Sequence, residues 1–320
     1  MRLSCGLAPS PQAPAHAALA ESLGYERAWF YDSPAVYGDV WVAIARTLDR
    51  TSRLGVGTAV LIPSLRHVVT TAAAIGTIEA QAPGRLVVAL GTGYTGRRVL
   101  GQPPLSWREV AAYVAALRGL LRGEAVEVDG RLCKLIHPDG FIAKRPIGTP
   151  IVLAANGPKG LALARAIADG AMCAGVVPEG ARDIRYLAFG TAMEPGETFA
   201  SPRVLEAIGG AIAVVYHGVF EASGAGVDAL PGGAAWRAEI ERLPEASRHL
   251  TLHEGHCVAP SPIDRRHLAP ELGGTTFSGT RDQLRERAAA LERQGVSELI
   301  YAPMGPDVPR ELRAMREALG

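Results

Sequence analysis

The stretch AESLGYERAWFYD, residues 20–32, passes from a helix-like segment through Gly24 into a short apolar strand. The same order returns as ARAIADGAMCAGVV (164–177) and ALERQGVSELIYAP (290–303). Gly24, Gly170 and Gly295 suit the left-handed position just past a helix end, which a residue without Cβ adopts at no steric cost. The strands that follow are nearly continuous apolar runs rather than alternations, the mark of parallel strands buried on both faces.

Working outward gives eight such strands, at 3–7, 27–31, 54–61, 86–90, 150–155, 171–177, 211–216 and 297–302. Amphipathic stretches separate them. Val68, Thr71, Ala72, Ile75 and Ile78 share one helical face, and so do Leu284, Ala288 and Leu291, in a helix that Thr280 and Gln283 open as a capping box. Eight alternating units predict an α/β fold of the (β/α)8 TIM-barrel type with insertions, over residues 1–320 as one domain. A doubly wound open sheet is the alternative. Two segments break the repeat. Residues 122–149 read as an inserted hairpin turning at Asp129-Gly130. Residues 221–279, long, polar and rich in Gly and Pro, read as a lid or insertion.

Composition narrows the class. The 320 residues are 48% hydrophobic and 20% charged, which excludes a disordered chain, and 37 glycines with 23 prolines stay below the low-complexity range of ~25–30%. The 33 basic and 32 acidic side chains nearly cancel, so there is no global field to hold nucleic acid or an anionic membrane. The apolar run around 207–220 is shorter than the ~20 residues of a spanning helix, and the N-terminus does not read as a signal peptide. Four scattered cysteines without a C-x-x-C pair argue against a disulfide scaffold or zinc ribbon and point to a cytoplasmic setting.

In a barrel of this type chemistry gathers at the carboxyl ends of the strands. Those ends read Tyr31-Asp32-Ser33, Val60-Leu61-Ile62-Pro63, Gly91-Thr92-Gly93-Tyr94, Ala154 to Lys159, Gly175, Tyr216-His217-Gly218 and Tyr301-Ala302-Pro303. The segment GTGYTG (91–96) matches a dinucleotide-fold fingerprint. It comes after three βα units, however, and Gly101, Pro103 and Pro104 speak against a helix opening at once. It reads better as a close-approach loop for a ligand or as a tight turn. Arg97 and Arg98 then either meet an anion or form a solvated pair. NGPKG (156–160) precedes an apolar helix whose first N–H groups, with Lys159, suit a phosphate, although capping by Asn156 and a first-turn Pro158 explain it equally well. His249, His253 and His256 are spaced closely enough to consider a metal, but H-E-G-H is not the zinc-protease pattern. An acid/base histidine on a lid is the better functional reading, a structural role for these histidines the commoner one, and no metal site is assigned.

These strand ends resemble the luciferase-like monooxygenase superfamily, and within it the deazaflavin branch dependent on coenzyme F-420, which includes methylenetetrahydromethanopterin reductase. The resemblance rests on AESLGYERAWFYDS (20–33), TSRLGVGTAVLIPSLRH (51–67), QAPGRLVVALGTGYTGRRVLGQPP (81–104), LRGLLRGEAVEVDG (117–130), IVLAANGPKGLALARAIADG (151–170) and SGTRDQLRERAAALERQGVSELIYAP (278–303). It implies a homodimeric TIM barrel with a planar redox ring at its mouth and a non-prolyl cis peptide at Ala59–Val60 behind it. Ring contacts carry over to Asp32, Ser33, Ala59, Val60 and Thr92. Tail and phosphate contacts carry over to Gly93, Ala154, Ala155, Asn156, Gly157, Pro158 and Lys159, with Gly175 nearby.

Two positions depart from the branch: Ser33 stands where His is frequent, and Tyr94 where the sugar-phosphate dehydrogenases have an acid. Candidate catalytic residues are therefore Asp32, Tyr94, His253 and His256. The expected activity is hydride transfer between F-420 and an organic small molecule. The alternatives are an FMN-dependent monooxygenase on the same barrel and a non-catalytic flavin-binding barrel.

Overall fold

The computed structural model describes residues 1–179 and 183–320. Strands β1 (Arg2–Leu7), β2 (Arg27–Phe30), β3 (Gly55–Leu61) and β4 (Leu86–Leu90) are joined by helices α1 (Ala13–Ser22), α2 (Val40–Leu48) and α3 (Val68–Gln81). After β4 come α4 (Tyr94–Arg98), α5 (Trp107–Arg122) and the hairpin β5 (Val126–Val128) and β6 (Arg131–Cys133). The chain then runs through β7 (Ile151–Ala154), α6 (Pro158–Ile167), β8 (Gly170–Ala174), β9 (Ile184–Phe189), α7 (Pro202–Ser223), α8 (Gly233–Ile240), α9 (Arg248–Leu252) and α10 (Pro262–His267). It closes with α11 (Arg281–Arg293), β10 (Val296–Ala302) and α12 (Val308–Leu319). Eight strands form a closed parallel barrel in the order β1-β10-β9-β8-β7-β4-β3-β2, so the open-sheet alternative is excluded.

Sequence signals account for several boundaries. Gly24 (φ +80°) and Gly295 (φ +91°) take the left-handed position after α1 and α11. Gly170 does not. It opens β8, where a Cβ would lie 2.6 Å from Arg185 Nη1, so close approach rather than a turn demands glycine there. The hairpin turns on Asp129 (φ +49°) and Gly130 (φ +72°), both left-handed as a type I′ turn requires. The Gln283 side chain accepts the Thr280 N–H at 2.9 Å and starts α11.

Three expectations are corrected. Residues 211–216 are not a strand but lie inside α7. Its buried Val204, Ala207, Ile208, Ala211, Ile212 and Tyr216 recur at spacings of three and four, and a six-residue apolar window cannot separate the two periods. The seventh barrel strand is β9, whose Arg185 disguised it. That guanidinium is buried at the barrel's amino end, 2.7 Å from Asp183 Oδ2 and 3.5 Å from Glu298 Oε2. Residues 221–279 are largely helical rather than a polar loop. With α7 they build a second hydrophobic cluster around Ile208, Ile212, Tyr216, Trp236, Ile240 and Leu252. By length and composition Pro202–Ala229 is also apolar enough to cross a membrane, contrary to the reading of its sequence. Here 56% of that window is buried, as befits the core helix of this cluster.

The barrel interior is layered. At the amino end Glu298 (1% exposed) accepts the Trp29 indole N–H at 2.7 Å, and Arg27 donates to the carbonyls of Val56 and Arg85. Above it Trp29, Val87, Ala89, Val152, Met172 and Ile300 fill the middle. The carboxyl-terminal layer sets small residues against one large ring. A Cβ on Gly6 would meet Tyr31 Oη at 2.9 Å and Ala302 at 3.2 Å, and one on Gly91 would meet Val60 at 2.8 Å and Ala154 at 3.6 Å. Ala59, Val60, Ala154 and Leu187 cover the core from above and remain only partly buried. The Ala59–Val60 peptide is cis, and the β3–β4 register shifts between Thr58 and Leu61.

Candidate active site

The floor of the barrel mouth is therefore shallow and apolar, and its rim is polar. On the β2 side Asp32 (3% exposed) and Ser33 are buried. Arg66, just before α3, reaches Asp32 Oδ2 at 2.6 Å with one guanidinium nitrogen and Asp39 Oδ2 at 2.8 Å with the other. Tyr113 of α5 donates to the Arg66 carbonyl at 3.2 Å and steadies the loop. Burial pushes the Asp32 carboxyl up. The Arg66 hydrogen bond and charge pull it down without cancelling the effect, and the group stays above its ordinary value.

On the β4 side Gly93 is left-handed (φ +81°), and the five-residue α4 opens directly at Tyr94, closer than Gly101, Pro103 and Pro104 had implied. A Cβ on Gly96 would fall 2.3 Å from Ile62 Cδ1 and 3.1 Å from the Asp32 carbonyl oxygen, so this short helix lies directly on the ends of β2 and β3. Arg97 is engaged by Ser64 Oγ at 2.6 Å, and Arg98 stands over the Tyr94 ring at 5.1 Å. Neither is the open anion contact that the sequence allowed.

The β7 side carries Ala154, Ala155, Asn156, Gly157, Pro158 and Lys159. Asn156 Oδ1 accepts the Ala174 N–H at 3.1 Å, tying this loop to the one that holds Gly175, and it does not cap α6. Gly157 is the N-cap and offers no side-chain acceptor, with Pro158 in the first turn. The first N–H groups of α6 thus face out beside exposed Gly157 and Lys159, an arrangement that favours an anion.

The remaining candidates meet on the helical layer over the mouth. Tyr94 donates its hydroxyl hydrogen to Glu221 of α7, Arg98 Nε lies 3.3 Å from the same carboxylate, and His253 Nε2 lies 2.9 Å from its other oxygen. Burial raises the Glu221 carboxyl, but the hydrogen bonds from His253 and Tyr94 and the charge of Arg98 outweigh it, so the group sits below the ordinary range. Burial and that carboxylate hold the Tyr94 phenol above its usual value. His253 and His256 are buried, not displayed on an open lid. His256 Nδ1 faces His217 Nδ1 at 3.5 Å, whereas His249, grouped with them by spacing, sits beside Gly101 instead.

Sequence reading missed Glu221, Arg66 and the part played by His217. The first and third share one face of α7 at a spacing of four, a signal hidden once that run was taken for a strand. Arg66 had no local pattern at all. Its role depends on β2 and β3 ending side by side.

A sequence profile of the family described as luciferase-like monooxygenase matches residues 6–298. The 5,10-methylenetetrahydromethanopterin reductase of Archaeoglobus fulgidus is 28% identical over 92% of this chain and 90% of its own length. The enzyme of the same name from Methanolobus tindarius is 31% identical over 49% of this chain, and the match spans about half of that relative, 48%. Among solved structures, an F-420-dependent secondary alcohol dehydrogenase in complex with an F-420–acetone adduct superposes with a TM-score of 0.71. It covers 100% of this chain and 99% of that one at 14% identity, which speaks to the shared fold.

Proposed function

The chain belongs to the luciferase-like monooxygenase family, and from that membership we propose an oxidoreductase that exchanges a hydride between coenzyme F-420 and an organic small molecule at the barrel mouth. The observation that carries this reading is the apolar surface of Ala59, Val60, Ala154 and Leu187, which covers the core at the carboxyl ends of the strands and stays only partly buried, a face on which a flat ring could lie. Asp32, Ser33, Ala59, Val60 and Thr92 would hold the ring. Gly93, the Ala154–Lys159 loop with the uncapped start of α6, and Gly175 would hold the phosphate-bearing tail. When bound, the deazaflavin supplies a two-electron hydride donor or acceptor at one carbon.

This chain's own work is orientation and proton movement. Tyr94 stands at the rim with its hydroxyl hydrogen on Glu221. A substrate hydroxyl hydrogen-bonded to Tyr94 Oη would pass its proton there as the phenolic proton moves to the carboxylate, and the reverse sequence would protonate a carbonyl oxygen. His253, bonded to the other Glu221 oxygen, positions that carboxylate.

Titrating the purified protein separately with reduced F-420 and reduced FMN tests the reading. Micromolar F-420 binding is the expected result. Micromolar FMN binding with none of the deazaflavin would overturn it in favour of a flavin monooxygenase.

A further inference from the structure

His217, His253 and His256 come from two separate parts of the chain, α7 and the turn after α9, and meet behind the Tyr94–Glu221 contact. One ring nitrogen of each lies within 4.8 Å of the other two. All three rings are buried: His217 and His253 are 1% exposed and His256 4%. Their outward nitrogens are taken. His217 Nε2 is 3.1 Å from Asp264 Oδ1, and His253 Nε2 is 2.9 Å from Glu221 Oε1. Asp264 is itself fixed by the Trp236 indole N–H at 2.8 Å and by the backbone N–H of Ser261 at 2.9 Å.

This pattern orients the rings. A carboxylate on Nε2 fixes the proton there and turns the Nδ1 lone pair inward, for His217 and His253 alike. His253 Nδ1 is fully buried and has no hydrogen-bond partner. Leaving such an acceptor unpaired in the core is unfavourable unless something fills the space. A hydrophobic core would not place three inward nitrogens together and brace two of them from behind with carboxylates. Metal centres do so routinely.

We infer that His217, His253 and His256 bind one divalent transition-metal ion of the zinc class through inward-facing ring nitrogens, with Asp264 and Glu221 as outer carboxylates and a fourth position left to water. Imidazole nitrogen suits zinc, copper, nickel or cobalt, and a buried neutral set without a directly ligating carboxylate disfavours magnesium and calcium. At a metal–nitrogen distance of ~2.0–2.1 Å, tetrahedral ligands stand about 3.3 Å apart. The His217 and His256 Nδ1 atoms are already at 3.5 Å. The ion would clamp the turn after α9 onto α7 and so fix Glu221 under Tyr94. The inference does not depend on the cofactor's identity.

The experiment uses the full-length protein without cofactor, stripped with a chelator and titrated with Zn2+ against a chromophoric competitor. One Zn2+ per chain at sub-micromolar affinity is expected, with a Tm rise of about 5 °C at a hundredfold excess over Kd. His253→Ala and His256→Ala should each weaken binding at least a hundredfold, Asp264→Asn by ~10–100-fold, and His249→Ala should leave it unchanged. Should the alanine variants fail to fold, X-ray absorption of the zinc-loaded wild type decides, with imidazole scattering expected at ~2.0–2.1 Å. No tight binding by the wild type, a zinc shell without imidazoles, or a folded His253→Ala/His256→Ala double variant that binds as tightly would each overturn the inference.

Discussion

Arg66 Nη1 stands 2.6 Å from Oδ2 of the buried Asp32, and the same guanidinium holds Asp39 at 2.8 Å. One side chain thereby joins the end of β2 to the start of α2 and fixes the carboxylate at the base of the mouth. Arg66→Met removes the charge and keeps most of the stem. It leaves Asp32 desolvated and unpaired, a change that costs ~3–5 kcal/mol when the pair is buried.

The same pair sets a pH dependence. Asp32 already titrates above its ordinary value, so its contribution to stability is fully present below the unfolded value and is lost as pH rises through the folded one. Arg66 opposes that loss. Without it the carboxyl rises further, so the deficit of Arg66→Met should be small at pH 4.5 and large at pH 8. Tm measured for both proteins across that range checks this, and an equal deficit at both ends would count against it.

Tyr94→Phe removes only the hydroxyl at the rim. We expect kcat for the proposed hydride transfer to fall by about 10²–10⁴-fold, with the dissociation constant for F-420 changed less than threefold. Glu221→Gln should lower kcat through the same step, because the carboxylate that receives the Tyr94 hydrogen is gone. Stopped-flow absorbance of the deazaflavin, with binding measured separately, tells a chemical loss from a binding loss.

The barrel was legible because its strands are short apolar runs preceded by helix-ending glycines such as Gly24 and Gly295, signals confined to a dozen residues. β9 escaped because Arg185 breaks its apolar run. Only the tertiary partners Asp183 and Glu298 make that charge admissible. The misreading of α7 then concealed Glu221 and His217, since their relation exists only at helical spacing. Ala59 and Val60 as expected ring contacts, and Ala154 as an expected tail contact, were named through resemblance. The reason for their size, an interior layer shared with Gly6, Gly91 and Ala302, becomes visible only when the strands close.

Gly91 supplies a direct test of that layer. An added Cβ would lie 2.8 Å from Val60 Cγ2, within the floor itself. Gly91→Ala should displace Val60 toward the mouth, cost ~1–3 kcal/mol as overpacking does, and weaken F-420 binding at least tenfold. Gly148→Ala, where an added Cβ meets nothing within 4 Å, should do neither. Fluorescence titration of both variants checks it, and unaltered affinity in Gly91→Ala would show that the cofactor does not rest on this floor.

Glu21, in the last turn of α1, presents one oxygen to three backbone N–H groups, those of Ser52, Arg53 and Leu54, at 2.9, 2.7 and 2.8 Å. They belong to the turn that delivers the chain into β3, whose far end forms the floor of the site. Burial is the largest single influence and raises this carboxyl, but the three N–H groups and the Arg53 charge together outweigh it, and the net shift is downward. An acid with a depressed folded value contributes stability that is present above its unfolded value, near 4.5, and is lost as pH falls through the folded one. Glu21→Ala should therefore lower stability by about 1–2 kcal/mol at pH 7, with the gap to wild type closing below about pH 4.5. Glu21→Gln keeps an acceptor oxygen without the charge and should fall between the two. Urea titrations at pH 7 and pH 3.5 measure both differences. A gap that persists unchanged in acid would mean that the side chain acts through packing rather than through its charge on the turn.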